Sequence, residues 1–173
     1  PLLPDSFLRL AVSILESPDF NERSVGIWND FFREPPAGTD LGAEIKKRIQ
    51  PFLKQAFRGP LDEEVLNRYV TYAKAKVEQD HSFTESMKKV TSAALSSPLF
   101  LFRYAAEDDK DAEFALAAKL SFFLWASGPD AELLRLAESG ELSKPENFTK
   151  TIERMLADPK IERFLDTFPG QWM

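Results

Sequence analysis

Apolar residues recur every three or four positions along nearly the whole chain, in runs that stop at proline or at Gly-Pro steps. That spacing puts the apolar side chains of each run on one face of a helix, and another helix has to cover that face. Strand signals are nearly absent: there is no Asn-Gly or Asp-Gly hairpin turn and no long alternating run of β-branched residues. The sequence therefore predicts an all-α fold, an irregular multi-helix bundle of about seven to nine helices. No tandem repeat at a fixed period is visible, which argues against a solenoid.

Punctuation places the helices. Asp5 is positioned to cap a first helix ending near Glu16, with Phe7, Leu8, Ala11 and Leu15 on one side. Asn21 is the expected start of a second, burying Val25, Trp28, Phe31 and Phe32 before Pro35-Pro36-Ala37-Gly38 breaks it. A third is expected from Leu41 to Phe57, bent at Pro51. Asp62 should cap a fourth, and Ser82-Phe83-Thr84-Glu85 reads as a capping box opening a fifth with Phe83, Met87, Val90 and Ala94 buried. Residues 114–126 are apolar on nearly every side, so this helix is expected at the centre, with Phe123 and Leu124 enclosed. Asp130 starts a helix with Leu133, Leu134 and Leu136 inside and Gly140 just past its end, and Pro159 separates two final helices.

With 43% hydrophobic and 29% charged residues, the 173-residue chain has enough apolar material for a core and is expected to fold. A net charge of −6 argues against nucleic acid as a partner. Lys46, Lys47, Arg48, Lys88 and Lys89 read as solvated helix faces rather than a basic patch. The absence of cysteine removes disulfides, thiolate zinc sites, iron–sulfur clusters and covalent haem attachment within this segment. The longest apolar stretch, 114–126, is interrupted by Lys119 and is too short for a membrane span.

No compact catalytic constellation emerges, so catalytic residues are left unassigned and no cofactor or metal site is expected in this segment. His81 is the single imidazole and reads as a helix-junction residue, its alternative being an axial haem ligand with Met87 or Met155. Asp109-x-Asp111-x-Glu113 imitates the start of a calcium loop. However, Phe114 stands where glycine is needed and Leu120 where a bidentate Glu is needed, so Glu107, Asp108, Asp109, Asp111 and Glu113 read as capping and solvated acids. Trp125 reads as core, which leaves Trp28 as the candidate ligand-stacking aromatic. Arg58, Asp130, Arg154 and Gln171 read as capping and inter-helix bonding groups.

Several ordered motifs are familiar. Leu120-Ser121-Phe122-Phe123-Leu124-Trp125-Ala126-Ser127-Gly128-Pro129-Asp130, then Gly140-Glu141-Leu142, Arg154-Met155-Leu156-Ala157-Asp158-Pro159 and Phe168-Pro169-Gly170-Gln171-Trp172, resemble a planctomycete-type domain of unknown function. Its pattern runs approximately LSYFLW-S-x-P-D, G-x-L, R-M-L-x-D-P and F-x-x-Q-W-L. Upstream, Ala56-Phe57-Arg58-Gly59-Pro60 and Ser96-Ser97-Pro98-Leu99-Phe100-Leu101-Phe102-Arg103 resemble the companion domain with an RAFRRP signature and an S-P-x-F-L-x-R end, with Gly59 in place of the usual second arginine. The resemblance covers roughly residues 41–173 and divides the chain into 1–38, a helical segment of no named family; 39–105, the RAFRRP-type domain; and 106–173, the beginning of the LSYFLW-type domain, expected to continue beyond this segment.

Such domains occur in large exported proteins that commonly carry a c-type cytochrome module. The resemblance thus implies a periplasmic or cell-envelope location, and partners among the other domains of the parent protein, a c-type cytochrome module included. The functional expectation is a non-catalytic helical scaffold or docking module. Its rival is part of an oxidoreductase or carbohydrate-active enzyme whose catalytic residues lie mostly elsewhere. The last apolar face, with Phe164, Phe168 and Trp172, is the expected interface, available to the continuation of the chain or to self-association.

Overall fold

A computed structural model describes residues 3–102 and 109–166, with side chains for 5–102 and 112–166. The described residues form nine α-helices and one 3-10 turn, and no strand occurs among them. The chain divides into two compact units, Pro1–Ala56 with Leu61–Arg103, and Phe57–Pro60 with Tyr104–Met173.

The first unit contains α1 (Leu3–Leu15), α2 (Trp28–Phe31), α3 (Leu41–Phe57), α4 (Glu63–Glu78), α5 (Phe83–Leu95) and α6 (Pro98–Leu101). α5 is its hub, packing against α1, α4 and α6. The expected capping box holds: Ser82 Oγ accepts from Glu85 N at 3.1 Å while Glu85 Oε2 accepts from Ser82 N at 2.9 Å. Phe83, Met87, Val90 and Ala94 follow as one buried stripe, each large side chain contributing about 1.5–3 kcal/mol by leaving water. Hydroxyls on this buried helix bond back one turn, as Thr91 Oγ1 does to the Met87 carbonyl at 2.8 Å. Ile45, Ile49 and Leu53 make the buried face of α3, which continues through Pro51, whose ring sits on the exposed side.

Several boundaries differ from the sequence expectation. α1 begins at Leu3, so Asp5 lies in its first turn and pairs with Arg9 at 3.0 Å instead of capping. Asn21 does not open a helix. Its Oδ1 accepts from Arg23 N at 2.9 Å and its Nδ2 donates to the Pro18 carbonyl at 2.8 Å, and this local turn competes with the first helical turn. The second helix is accordingly only Trp28–Phe31, four residues long. Asp62 occupies the N-cap position of α4, but its carboxylate makes no capping bond.

The second unit contains α7 (Asp109–Trp125), α8 (Ala131–Glu138), α9 (Pro145–Ala157) and a 3-10 turn at Pro159–Ile161, followed by helical residues 162–166. Its core gathers Phe114, Ala117, Leu124 and Trp125 of α7 with Leu133, Leu134, Leu142 and Met155. α8 ends in a Schellman arrangement. Glu141 N donates to the Leu136 carbonyl and Gly140 N to that of Ala137, which requires the φ of +69° at Gly140.

The expectation that α7 is enclosed all round needs correction. Leu124 and Trp125 are buried, but Phe123 is 58% exposed and Phe122 is also exposed. Residues 114, 117, 121, 124 and 125 turn one face to α8 and α9, and that face already completes the core. Phe122 and Phe123 fall on the opposite side of the helix, where apolar character alone does not supply a neighbour.

Candidate functional site

Trp28, the candidate ligand aromatic, packs among aromatic neighbours. Its ring centroid lies 6.1 Å from that of Phe20 and 5.3 Å from that of Phe32. The Lys88 amine reaches from α5 to within 5.2 Å of the Phe20 centroid and 5.4 Å of the Trp28 centroid, and donates to the Phe20 carbonyl at 3.4 Å. The chain's own lysine thus supplies the cation that an indole face attracts. Beside this cluster lies an apolar groove of about 230 Å³, with Leu15, Phe31, Phe32 and Phe52 inside and the exposed Ile14 and Ile27 at its edge. Trp28 is not part of its lining.

Arg48 and Lys88 correct the reading of the basic clusters as solvated faces. The Arg48 side chain is only 10% exposed. Its guanidinium donates to Glu44 at 2.7 Å and to the carbonyls of Phe31 and Arg33 at 3.2 and 2.7 Å, and lies 4.9 Å from the Phe83 ring centroid. The Arg48 bond holds the Glu44 carboxyl below its ordinary pKa. Arg48 therefore fastens the segment after α2 to α3, a role that a count of basic residues does not reveal.

A polar arrangement in the second unit surrounds Trp125. This indole is fully buried, and its Nε1 donates to the Met155 carbonyl at 3.0 Å. The Lys160 amine lies 4.3 Å from the ring centroid and the Arg154 guanidinium 5.5 Å. Arg154 also pairs with Asp130 at 2.6 Å, and Asp130 Oδ1 caps α8 by accepting from Leu133 N at 2.9 Å. Burial acts to raise the Asp130 carboxyl. The Arg154 bond, the Leu133 N–H and the charges of Arg154 and Lys160 outweigh it, so the pKa lies below the ordinary aspartate value. Asp158 repeats the device, accepting from Lys160 N at 2.8 Å to start the 3-10 turn.

Glu113 is not a solvated acid. Its carboxylate is buried and accepts from Leu142 N at 2.9 Å and Ser143 N at 3.2 Å, clamping the turn after α8 onto α7. The signal was present in the sequence, because Glu113 shares the buried stripe of Ala117, Ser121 and Leu124. The side chains of Glu107, Asp108, Asp109 and Asp111 lie outside the described residues. Among the described residues no group of three or more His, Cys, Asp or Glu is gathered as metal ligands. His81 lies 3.9 Å from Glu85, beside the capping box, while Met87 and Met155 are fully buried in their own cores.

Of the expected interface residues, Phe164 packs against Phe123 with centroids 5.1 Å apart, and neighbouring Leu165 is 57% exposed. Phe168, Gln171 and Trp172 lie outside the described residues. Arg58, in the segment that groups with the second unit, places its guanidinium 5.8 Å from the Phe122 centroid and has a φ of +53°. No helix among the described residues is long and apolar enough to cross a membrane.

Comparison with known proteins gives two family matches. Residues 44–104 match PSD5, a protein of unknown function (DUF1595), and residues 111–173 match PSD4, a protein of unknown function (DUF1592). No curated protein and no solved structure matches the chain. The motif residues Asp130, Arg154 and Asp158 all fall within the PSD4 match, so the polar arrangement around Trp125 belongs to that domain. The chain carries the PSD5–PSD4 pair of domains of unknown function.

Proposed function

We propose that this chain is a non-catalytic helical scaffold and docking module of a larger exported protein linked to c-type cytochrome. The observation that supports the reading is the engagement of four polar side chains among the described residues of the second unit, Glu113, Asp130, Arg154 and Asp158. Glu113 and Asp130 are held by backbone N–H groups, Arg154 by Asp130 and the Trp125 face, and Asp158 by the start of the 3-10 turn. Groups bound in this way position helices, whereas a general acid, base or nucleophile needs a free face toward substrate.

The docking part of the reading rests on Phe123 and Leu165, whose exposed apolar surface, flanked by the half-buried Phe164, suits another domain of the parent protein. Export and the cytochrome link rest on the family resemblance. Co-purification of this chain with the remaining domains of its parent tests the proposal, using the native sequence and a Phe123→Ser, Leu165→Ser variant. Capture by the native chain and its loss in the folded variant support docking. Equal capture by both, self-association alone in light scattering, or turnover of a redox or sugar substrate by this chain overturns it.

A further inference from the structure

A second concavity, in the first unit, is chemically unlike the apolar groove. It is an open hollow of about 550 Å³ between α4 and the turn from α5 into α6. Val65, Arg68, Tyr69 and Tyr72 form the α4 wall, and Pro98 and Leu99 stand opposite. Local sequence explains the gap. α5 presents only the small Ala93 here, and the chain then turns away as Ser97 Oγ accepts from Leu99 N at 3.2 Å and Pro98 begins α6.

Arg68, Tyr72 and Lys76 follow at four-residue spacing and so share one stripe of α4. The Lys76 amine lies 5.5 Å from the Tyr72 ring centroid and bonds Gln79 Oε1 at 2.9 Å. Arg68 is exposed, and among the described residues no carboxylate lies within ion-pair distance of it, although Glu64 stands one turn earlier. An exposed guanidinium at the edge of an aromatic and aliphatic concavity has the make-up of a ligand site, in which apolar walls hold the body and one charged group fixes orientation. Its volume falls within the usual range for small-molecule pockets, about 300–1,000 Å³.

We propose that this concavity binds a small organic carboxylate. The apolar body lies between Tyr69, Tyr72 and Leu99, and the carboxylate takes the two-pronged donor face of Arg68, with Lys76 adding positive potential. The site is separate from the Phe123–Leu165 surface, so it stands or falls independently of the docking reading.

The test is a titration of the isotope-labelled full chain, followed by backbone amide NMR shifts. The probes are 4-phenylbutyrate and its neutral amide, 4-phenylbutyramide. The expected result is saturable shifts at residues 65–72 and 93–99, with binding of the acid about tenfold tighter than that of the amide. Arg68→Gln is expected to weaken the acid about tenfold while leaving the unfolding midpoint unchanged, since Arg68 is solvent-exposed. Tyr72→Ala is expected to weaken acid and amide alike. The proposal is overturned by equal affinity for acid and amide, by unchanged binding in Arg68→Gln, by shifts confined to the groove at Ile14 and Ile27, or by no shift at about 10 mM probe.

Discussion

The indole N–H of Trp125 donates to the backbone carbonyl of Met155 at 3.0 Å, joining the end of α7 to the end of α9 inside a fully buried site. A buried carbonyl left without its donor keeps its desolvation cost. Trp125→Phe is therefore expected to destabilise the second unit by about 2–3 kcal/mol, through that lost bond and the space left by the smaller ring. Denaturant unfolding, read from the loss of blue-shifted tryptophan emission in the native chain and from circular dichroism in both proteins, checks this.

Glu113 receives two backbone N–H groups, from Leu142 and Ser143. Glu113→Gln keeps the shape but turns an NH₂ toward one donor. The expected loss is about 1–3 kcal/mol, the cost of one buried unsatisfied group. Hydrogen exchange at the Leu142 and Ser143 amides should speed up in the variant beyond any global change in stability.

Asp130 serves two partners, which can be separated. Asp130→Asn retains a capping oxygen for Leu133 N and loses the charge pair with Arg154, whereas Asp130→Ala loses both. The expected costs are up to about 1 kcal/mol for Asn and about 1–2 kcal/mol for Ala.

pH dependence distinguishes the Asp130 charge from its cap. Because the folded Asp130 pKa is lowered, its ionised form adds stability that is complete above the unfolded value of about 3.9 and disappears as pH falls through the lower folded value. The stability difference between native protein and Asp130→Asn should therefore be constant near neutrality and close below about pH 4. A difference that widens in acid contradicts this assignment.

Ala126 ends α7 with a φ of +48°, a left-handed conformation that a side chain strains. Ala126→Gly is expected to raise stability by about 0.5–1 kcal/mol, since relief of that strain exceeds the extra freedom glycine gives the unfolded chain. A rise in the thermal midpoint of the second unit is the readout.

Helix positions were legible wherever a stripe and a stop signal coincided. Leu41–Phe57 appears with the expected ends, and Ser82 and Asp130 cap as their spacing implies. The region around Asn21 misled because its amide satisfies a tight turn as readily as a helix start, and the choice depends on partners distant in sequence. Phe123 misled because apolar residues on two sides of one helix look alike until the packing of α8 and α9 decides which side is covered. Arg48 and Lys88 were hidden for a related reason, and at Glu113 the acidic charge outweighed its place on a buried stripe. Their charges suggest solvent, while their long stems let each reach a carbonyl, ring face or N–H elsewhere in the fold.

The polar side chains around Trp125 and Glu113 serve the architecture of the second unit, and calorimetric unfolding of variants at these positions tests this most directly. Glu113→Gln, Asp130→Ala, Arg154→Ala and Trp125→Phe should each lower the unfolding temperature, with Asp130→Ala and Arg154→Ala together costing less than the sum of the two because they share one ion pair. Unchanged midpoints across this set would contradict the account, since these side chains would then be free of structural duty and available for chemistry.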